Sequence, residues 1–116
     1  MEDRFDKLKK MALSFRDERD WRQFHSPKNL AEGLSVEAAE LLENFLWITP
    51  DQSRHLNEEK KSRIKPELAD IFVFLIYLCE EMGVDLFDET EKKIEHNAQK
   101  YPLHKAKGNH KKYTDL

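Results

Sequence analysis

Apolar residues recur along most of this chain at spacings of three and four, which is the period of an amphipathic α-helix. One such stripe predicts a first helix over about residues 3–23, and it consists of Phe5, Leu8, Ala12 and Phe15. No stretch alternates with period two for long enough to predict a strand. The pattern therefore predicts an all-α protein with four main helices that form a bundle.

The second helix is marked by its first residues. Ser26 is suited to the N-cap and Pro27 to the first helical position, where a missing N–H is harmless. We expect this helix to continue to about Ile48 and residues 49–57 to form a polar loop. Gly33 lies inside the helix at a cost of about 1 kcal/mol relative to alanine. Another constraint must therefore retain the glycine.

The third helix is predicted over residues 58–83, with Gly83 as its C-terminal stop. Pro66 either starts this helix or kinks it, and the sequence leaves the choice open. Residues 71–79, "IFVFLIYLC", are apolar on nearly every side. Such a helix needs burial all round, which indicates an oligomer, either a dimer or a dimer of dimers.

The fourth helix is predicted to start after Asp85 and to end at Pro102. Its inward face is expected to consist of Leu86, Phe87, Ile94 and Ala98. Beyond it, the chain is polar and basic. We therefore expect one helical domain over residues 1–102 and a basic tail over residues 103–116.

Composition narrows the classes of function. With 116 residues and a net charge of −3, the chain fits one domain and shows no general signature of nucleic-acid binding. Its longest apolar run has nine residues, which is too short to span a membrane. The charged N-terminus does not resemble a signal peptide, and the single cysteine, Cys79, fits a reducing compartment. We expect a cytoplasmic protein.

Two pairs of acids carry the candidate chemistry. Glu37 and Glu40 share one face of the second helix, and Glu67 and Asp70 share one face of the third. Two carboxylates 5 Å apart repel by about 3 kcal/mol at an effective dielectric near 20. If the faces meet, the cluster requires protonation or a cation, and oxygen-only ligands favour Mg²⁺, with Mn²⁺ as a substitute. The alternative is that these acids are solvated surface groups; Glu43 is a weaker candidate.

Other metal and nucleotide motifs are missing. No glutamate is followed by histidine at i+3, which a di-iron bundle would require. The five histidines are interpreted as ordinary surface or turn residues. No P-loop, GxGxxG, GxSxG or CxxC is present. The paired acids are therefore the main chemical signal in the chain.

A nucleotide substrate would need a base platform and phosphate partners. Trp21 and Trp47 are candidates for stacking on a base, with core packing as the alternative. Lys93, Asn97 and Lys100 form one polar stripe on the fourth helix. On periodicity alone, that stripe is better explained as a solvated face.

Four segments together resemble the MazG-like all-α nucleoside triphosphate pyrophosphohydrolases, in particular their short single-domain branch that includes the dCTP pyrophosphatases. The segments are "ERDWRQFHSPKNL", "GLSVEAAELLENFLW", "ELADIFVFLIYL" and "KIEHNAQKYP". The resemblance implies Mg²⁺ ligands at Glu37, Glu40, Glu67 and Asp70. It also implies a base pocket lined by Trp21 and Trp47, phosphate contacts near Lys93, Asn97 and Lys100, and pockets shared between subunits.

Two positions depart from the animal members of this branch. They have histidine where this chain has Ala12, and tyrosine where it has Phe74. Both positions line the nucleotide pocket in those members, so Phe74 is also a candidate substrate-binding residue. The departures imply looser discrimination between bases.

The expected function is Mg²⁺-dependent hydrolysis of a nucleoside triphosphate to a monophosphate and pyrophosphate. The resemblance favours deoxynucleotides, dCTP among them, and a role in clearing unwanted nucleotides. Glu37 and Glu40 are candidates for the catalytic base. The alternative is a non-catalytic helical module that binds a partner as an oligomer. The sequence leaves open the exact nucleotide, the number of metal ions and the choice between dimer and tetramer.

Overall fold

The computed structural model describes residues 1–116, and all of its regular structure is helical. The predicted all-α class with four main helices is confirmed, with two one-turn helices added. In chain order the helices are α1 (Arg4–Glu18), α2 (Pro27–Glu43), α3 (Pro50–Ser53), α4 (Glu58–Met82), α5 (Leu86–Lys100) and α6 (Leu103–Ala106). Short 3₁₀ turns occupy Arg22–Phe24 and Tyr113–Asp115.

The helix boundaries follow local hydrogen-bonding chemistry. The Ser26 hydroxyl accepts the Asn29 N–H at 3.1 Å, and Pro27 occupies the first position of α2, as predicted. Gly83 ends α4 in the left-handed conformation, with φ of +65°. Pro66 lies inside α4, so it does not start that helix.

α1 ends five residues before the predicted position, because residue 20 leaves the helical conformation. Asp20 has φ of +55°, and its N–H donates to the carbonyl of Asp17 at 3.1 Å. The N–H of Trp21 donates to the carbonyl of Arg16 at 3.0 Å. This pair of bonds is the Schellman motif, here with aspartate in the place usually taken by glycine.

α2 also ends early, at Glu43 instead of Ile48. The Asn44 amide donates to the carbonyls of Glu40 at 3.1 Å and Leu41 at 3.4 Å. The asparagine thereby satisfies carbonyls that a continuing helix would use, and residues 44–47 form turns.

The predicted loop over residues 49–57 contains α3. The Thr49 hydroxyl accepts the Gln52 N–H, and the Gln52 side chain accepts the Thr49 N–H, which completes a capping box. The sequence signal was the spacing T-x-x-Q with Pro50 between the two partners.

The chain forms two compact units, residues 1–83 and 84–116, which are described separately. In the first unit, α4 packs mainly against α2 and also against α1. The most buried apolar side chains are Leu30 on α2 and Ile64, Ile76 and Tyr77 on α4. α4 is therefore the helix around which the first unit is built.

Gly33 is explained by a close approach of α4. A Cβ at Gly33 would overlap Cε1 of Phe74 and come within 2.7 Å of its Cζ. Only glycine leaves room for the ring at this point of α2. The cost of a glycine inside the helix is thus offset by close packing of α2 on α4.

A buried polar group joins α1 to α4. Arg16 is only 3% exposed, and its Nε donates to Asp17 at 2.8 Å, while Nη1 lies 3.6 Å from Glu81 on α4. Arg22 Nε lies 3.3 Å from the same Glu81 oxygen. The hydrogen bond from Arg16 lowers the pKa of Asp17, which therefore remains ionised.

In the second unit, the face of α5 that was predicted to point inward is largely exposed. Phe87, Ile94 and Ala98 are exposed, and Leu86 is half-buried. At the end of α5, Lys100 Nζ lies 4.7 Å from the centroid of the Tyr113 ring. None of the helices in the chain combines the length and the apolarity that crossing a membrane requires.

The contact between Gly33 and Phe74 can be tested by a double-mutant cycle. Gly33→Ala should lower the free energy of unfolding, because overpacking costs about 1–3 kcal/mol and outweighs the gain of about 1 kcal/mol in helix propensity. In a Phe74→Ala background, Gly33→Ala should stabilise the protein instead. Urea unfolding of the four proteins measures the coupling. A stabilising Gly33→Ala in the wild-type background would contradict the explanation.

Candidate metal centre

The acidic faces of α2 and α4 meet because the two helices run antiparallel. Gly33 on α2 contacts Phe74 on α4, one helical turn before Glu37 and one turn after Asp70. Each further turn toward the C-terminus of α2 therefore meets a turn nearer the N-terminus of α4. This register brings Glu37 to the level of Asp70 and Glu67.

Three of the four predicted metal ligands lie together. Glu37, Glu67 and Asp70 each offer a carboxylate oxygen, and the three oxygens lie within 4.8 Å of one another. Mg²⁺ binds oxygen at about 2.1 Å, so opposite ligands are about 4.2 Å apart. Side-chain movements of up to about 1 Å would therefore bring all three oxygens onto one ion.

Two of these residues each have a buried carboxylate oxygen that lacks a hydrogen-bond partner. The two oxygens are Oε2 of Glu37 and Oε2 of Glu67. Buried polar atoms in native proteins are nearly always satisfied, and exceptions point to a missing ion, a water or a functional group. The orphaned oxygens and the all-oxygen donor set fit a hard divalent cation.

The carboxylates raise one another's affinity for protons. Burial raises the pKa of Glu37 to about 7, and the charges of Glu40 and Asp70 add to the shift. The pKa of Glu67 is also raised, mainly by burial and secondly by the charge of Glu40. Glu37 and Glu67 contact each other, and this contact raises the pKa of Glu37 and lowers that of Glu67. The contacting pair therefore holds a shared proton up to a higher pH than an ordinary glutamate would.

The fourth predicted ligand, Glu40, lies beside this trio, where its charge acts on Glu37 and Glu67. It also lines a cavity of about 500 Å³ that continues along the α2–α4 groove, with Glu43, Asn44, Lys60, Arg63 and Glu67. Lys60 and Arg63 were not among the predicted site residues. Their signal was spacing, because they precede Glu67 by seven and four residues and so share its helix face.

Trp21 is held at the end of α1 by the Schellman motif. Its ring packs edge-to-face on Phe15, with centroids 5.5 Å apart, and 43% of the side chain stays exposed. Arg16, whose carbonyl accepts the Trp21 N–H, is itself tied to α4 through Glu81. The ring is therefore a partly open aromatic surface on a fixed backbone.

Trp47 is 97% exposed and has a backbone φ of +68°. A left-handed conformation is rare for a bulky residue and costs on the order of 1–3 kcal/mol. Exposing a whole indole also forgoes its burial energy. Strain and exposure at the same residue make Trp47 a candidate contact for a ligand or a second subunit.

The two positions that depart from the animal proteins have structural surroundings of their own. Phe74 is half-buried against Gly33, one turn beyond Asp70. The carbonyl of Ala12 accepts the Tyr77 hydroxyl at 2.8 Å. His25 was interpreted as an ordinary surface or turn residue, but its ring packs on buried Tyr77 with centroids 4.8 Å apart. Burial lowers the pKa of His25.

The predicted phosphate contacts all lie on α5, in the second unit. Lys93 and Asn97 are exposed, and Lys100 is half-buried over the Tyr113 ring. Their spacing of four and three residues places them on one side of α5, as the sequence indicated. Their role toward phosphate stays a prediction.

Comparison with known proteins places the chain in a family. Residues 33–116 match the model of the MazG-like family. The chain is 36% identical over 112 residues to dCTP pyrophosphatase 1 of Bos taurus and 33% identical over 111 residues to that of Homo sapiens. These alignments cover 94% of this chain but 66% and 65% of the relatives, so the chain spans slightly less than two thirds of their length.

A solved structure extends the similarity to the fold. A crystal structure of a pyrophosphatase from Archaeoglobus fulgidus DSM 4304 matches with a TM-score of 0.83 at 35% identity. The match covers 88% of this chain and 95% of the other. The similarity therefore includes most of both chains.

The shared proton predicts that the metal-free protein loses stability as the pH rises. The pKa of Glu37 is raised from an ordinary 4.5 to about 7, so the folded state holds a proton that the unfolded chain releases. The resulting stabilisation is complete below pH 4.5 and is lost as the pH rises through about 7. Urea unfolding in EDTA between pH 4.5 and 8 should show this loss.

Glu37→Gln should flatten that pH dependence, because the amide mimics the protonated acid and does not titrate. Glu32→Gln is the matched control on α2, since Glu32 is exposed and pairs only with Lys28 at 3.0 Å. Equal slopes in wild type and Glu37→Gln would contradict the shared proton.

Proposed function

Since the chain belongs to the MazG-like family, we propose that it is a Mg²⁺-dependent pyrophosphohydrolase that acts on nucleoside triphosphates. The observation that carries the proposal is the pair of buried, unpartnered oxygens of Glu37 and Glu67 within a group of three carboxylates. Surface acids without a ligand would be solvated. The site instead keeps orphaned oxygens between two packed helices.

In the proposed reaction, a water oxygen attacks the α-phosphorus and the bond from that phosphorus to the bridging oxygen breaks. The products are a nucleoside monophosphate and pyrophosphate, and the water proton passes to a carboxylate of the chain. Glu37 and Glu40 are the candidate bases because both belong to the acidic face, and the pKa of Glu37, raised to about 7, suits proton transfer at neutral pH. Each would hold the attacking water in line with the bridging oxygen.

Glu37, Glu40, Glu67 and Asp70 would hold the Mg²⁺. When bound, the ion supplies charge compensation for the phosphate oxygens and polarises the phosphoryl group. The chain's part is to fix the four carboxylates on two helices whose register is set by close packing. That rigidity keeps the ligands in place before the substrate arrives.

Two exposed aromatic side chains would recognise the base. Stacking on Trp47 and Trp21 contributes about 1–3 kcal/mol per base and accepts any base, because every base has a π-face. Lys93, Asn97 and Lys100 would contact the phosphates. Relatives named dCTP pyrophosphatase support dCTP as a favoured substrate.

Choice between bases requires polar groups at the edge of the base, because a site that leaves a buried polar group unpaired rejects a substrate strongly. Ala12 and Phe74 provide no side-chain donor or acceptor. We therefore expect a second base, such as adenine, to be accepted. Selection for deoxyribose needs only close packing at C2′ and should survive.

An oligomer is part of the proposal. Leu68 and Phe72 on α4 are 52% and 37% exposed in the single chain, as is most of Trp47. Burying them in a dimer, or in a dimer of dimers, would complete the apolar surroundings of α4. The role we propose is removal of unwanted deoxynucleotides from the cellular pool.

Replacing one ligand should remove activity without unfolding the chain. Glu40→Gln and Asp70→Asn should each lower kcat/KM for dCTP by roughly a hundredfold or more, in line with losing a transition-state charge partner. Mg²⁺ should raise Tm in wild type but not in these variants, because only the native site binds it. Pyrophosphate release and thermal melts measure both effects. Activity within a fewfold of wild type in both variants would reject the metal site, and Glu32→Gln serves as control.

The aromatic platform makes a separate prediction. Trp47→Ala should raise KM for dCTP by about five- to a hundredfold, as expected for losing a stacked base, whereas Trp47→Phe should recover most of the loss. Values of kcat/KM for four deoxynucleotides and four ribonucleotides should favour the deoxy series. Equal turnover of ribonucleotides, or an unchanged KM in Trp47→Ala, would contradict this pocket.

A further inference from the structure

The cavity beside the acidic cluster is lined by both acidic and basic side chains. α2 contributes Glu40, Glu43 and Asn44, and α4 contributes Lys60, Arg63 and Glu67, around about 500 Å³. Glu40 and Glu67 belong to the proposed metal centre, so the cavity opens directly from it. Lys60 and Arg63 are one turn apart on α4 and lie on the side of Glu67 away from Asp70.

The two cations do not neutralise the acids that surround them. Ion pairs within 4.0 Å join Arg63 to Glu59, at 2.6 Å, and Lys61 to Glu58, at 3.5 Å, but join neither Lys60 nor Arg63 to Glu40, Glu43 or Glu67. Lys60 is half-buried and makes no ion pair. Arg63 uses Nη2 on Glu59 and keeps its other guanidinium donors for a ligand.

A phosphate group in this cavity needs cationic partners beyond the metal ion. A divalent cation compensates only half of the charge on four carboxylates, and a triphosphate brings further negative charge to the same place. Arginine binds phosphate oxygens through a planar fork, and lysine binds them as a compact point charge. Together the two residues offer the positive charge and the hydrogen-bond donors that the acidic cluster lacks.

We propose that Lys60 and Arg63 bind the two terminal phosphates of the substrate, the part that leaves as pyrophosphate. The inference rests on the proposed function. It extends the phosphate contacts from the predicted residues on α5 to two residues on α4. With the α-phosphate at the carboxylates, the cavity is where the leaving group would extend. Lys60 and Arg63 would then stabilise the charge that develops on the bridging oxygen as its bond to phosphorus breaks.

The test is the effect of Lys60→Gln and Arg63→Gln on pyrophosphate. Both should raise the inhibition constant of pyrophosphate and the KM for dCTP by about ten- to a hundredfold, the range for losing a charged hydrogen-bond partner. Inhibition by dCMP should stay within twofold, because the monophosphate does not reach the cavity. Lys60→Arg and Arg63→Lys should recover much of the loss.

Two matched controls separate binding from helix stability. Lys61→Gln removes a neighbouring cation that lies outside the cavity, and Glu59→Gln breaks the ion pair of Arg63 while keeping the arginine. Both should leave pyrophosphate inhibition within twofold, and all variants should melt within a few degrees of wild type. An equal loss in Glu59→Gln and Arg63→Gln would mean that the ion pair, and not phosphate binding, is what matters, and would overturn the inference.

Calorimetry with Mg²⁺ and pyrophosphate distinguishes this inference from the proposed function. If the wild type hydrolyses dCTP but Lys60→Gln binds pyrophosphate as tightly as wild type, the function stands and the inference fails. If the wild type does not hydrolyse any nucleotide, tight pyrophosphate binding that depends on Lys60 still supports the anion site. If Lys60→Gln only tightens Mg²⁺ binding, the cations serve to balance the acids and the inference is overturned.

Discussion

The contact between Gly33 and the ring of Phe74 sets the register on which the candidate site depends. Because α2 and α4 run antiparallel, this one close contact determines which residues of α2 lie opposite which residues of α4 along the groove between them. One turn away the carboxylates of Glu37, Glu67 and Asp70 converge, and further along the cavity with Lys60 and Arg63 opens. A slide of one turn along α4 would separate these groups.

That packing holds together groups that repel one another. Burial and neighbouring charges raise the pKa of Glu37 to about 7, so without a cation this carboxyl holds a proton up to a higher pH than an ordinary glutamate does. The apolar contacts around Leu30, Ile64 and Ile76 must offset this repulsion. A divalent cation would replace the proton, and attraction between the carboxylates and the cation would then outweigh the repulsion among the carboxylates. The same carboxylates that weaken the metal-free protein would therefore stabilise the metal-bound one.

The helices and the acidic faces were predictable because they depend on periodicity within one helix. The spacing of Glu37 and Glu40, and of Glu67 and Asp70, is visible in the sequence. The antiparallel register was not, since it rests on a contact between residues 41 positions apart. Lys60 and Arg63 were missed for a related reason: their spacing from Glu67 places them on its helix face, but only the packing of α2 against α4 shows that this face lines a cavity. The early ends of α1 and α2 depend on side chains in unexpected roles, an aspartate in a glycine position and an asparagine amide that binds helix carbonyls.

Those helix ends matter because they place the aromatic residues. Had α1 and α2 continued to residues 23 and 48, Trp21 and Trp47 would lie on regular helix surfaces with their orientation set by helical geometry. The Schellman motif at Asp20 and the left-handed backbone at Trp47 instead turn the chain immediately at each tryptophan. Local backbone strain at Trp47, the unpartnered oxygens of Glu37 and Glu67, and a lysine without an ion pair, Lys60, thus accumulate in the first unit of the chain. Features that lower the stability of the free protein persist where a ligand restores the loss. In the proposed function each of these features has a partner in the nucleotide complex: the indole faces meet a base, the carboxylates a metal ion, and the cations phosphate.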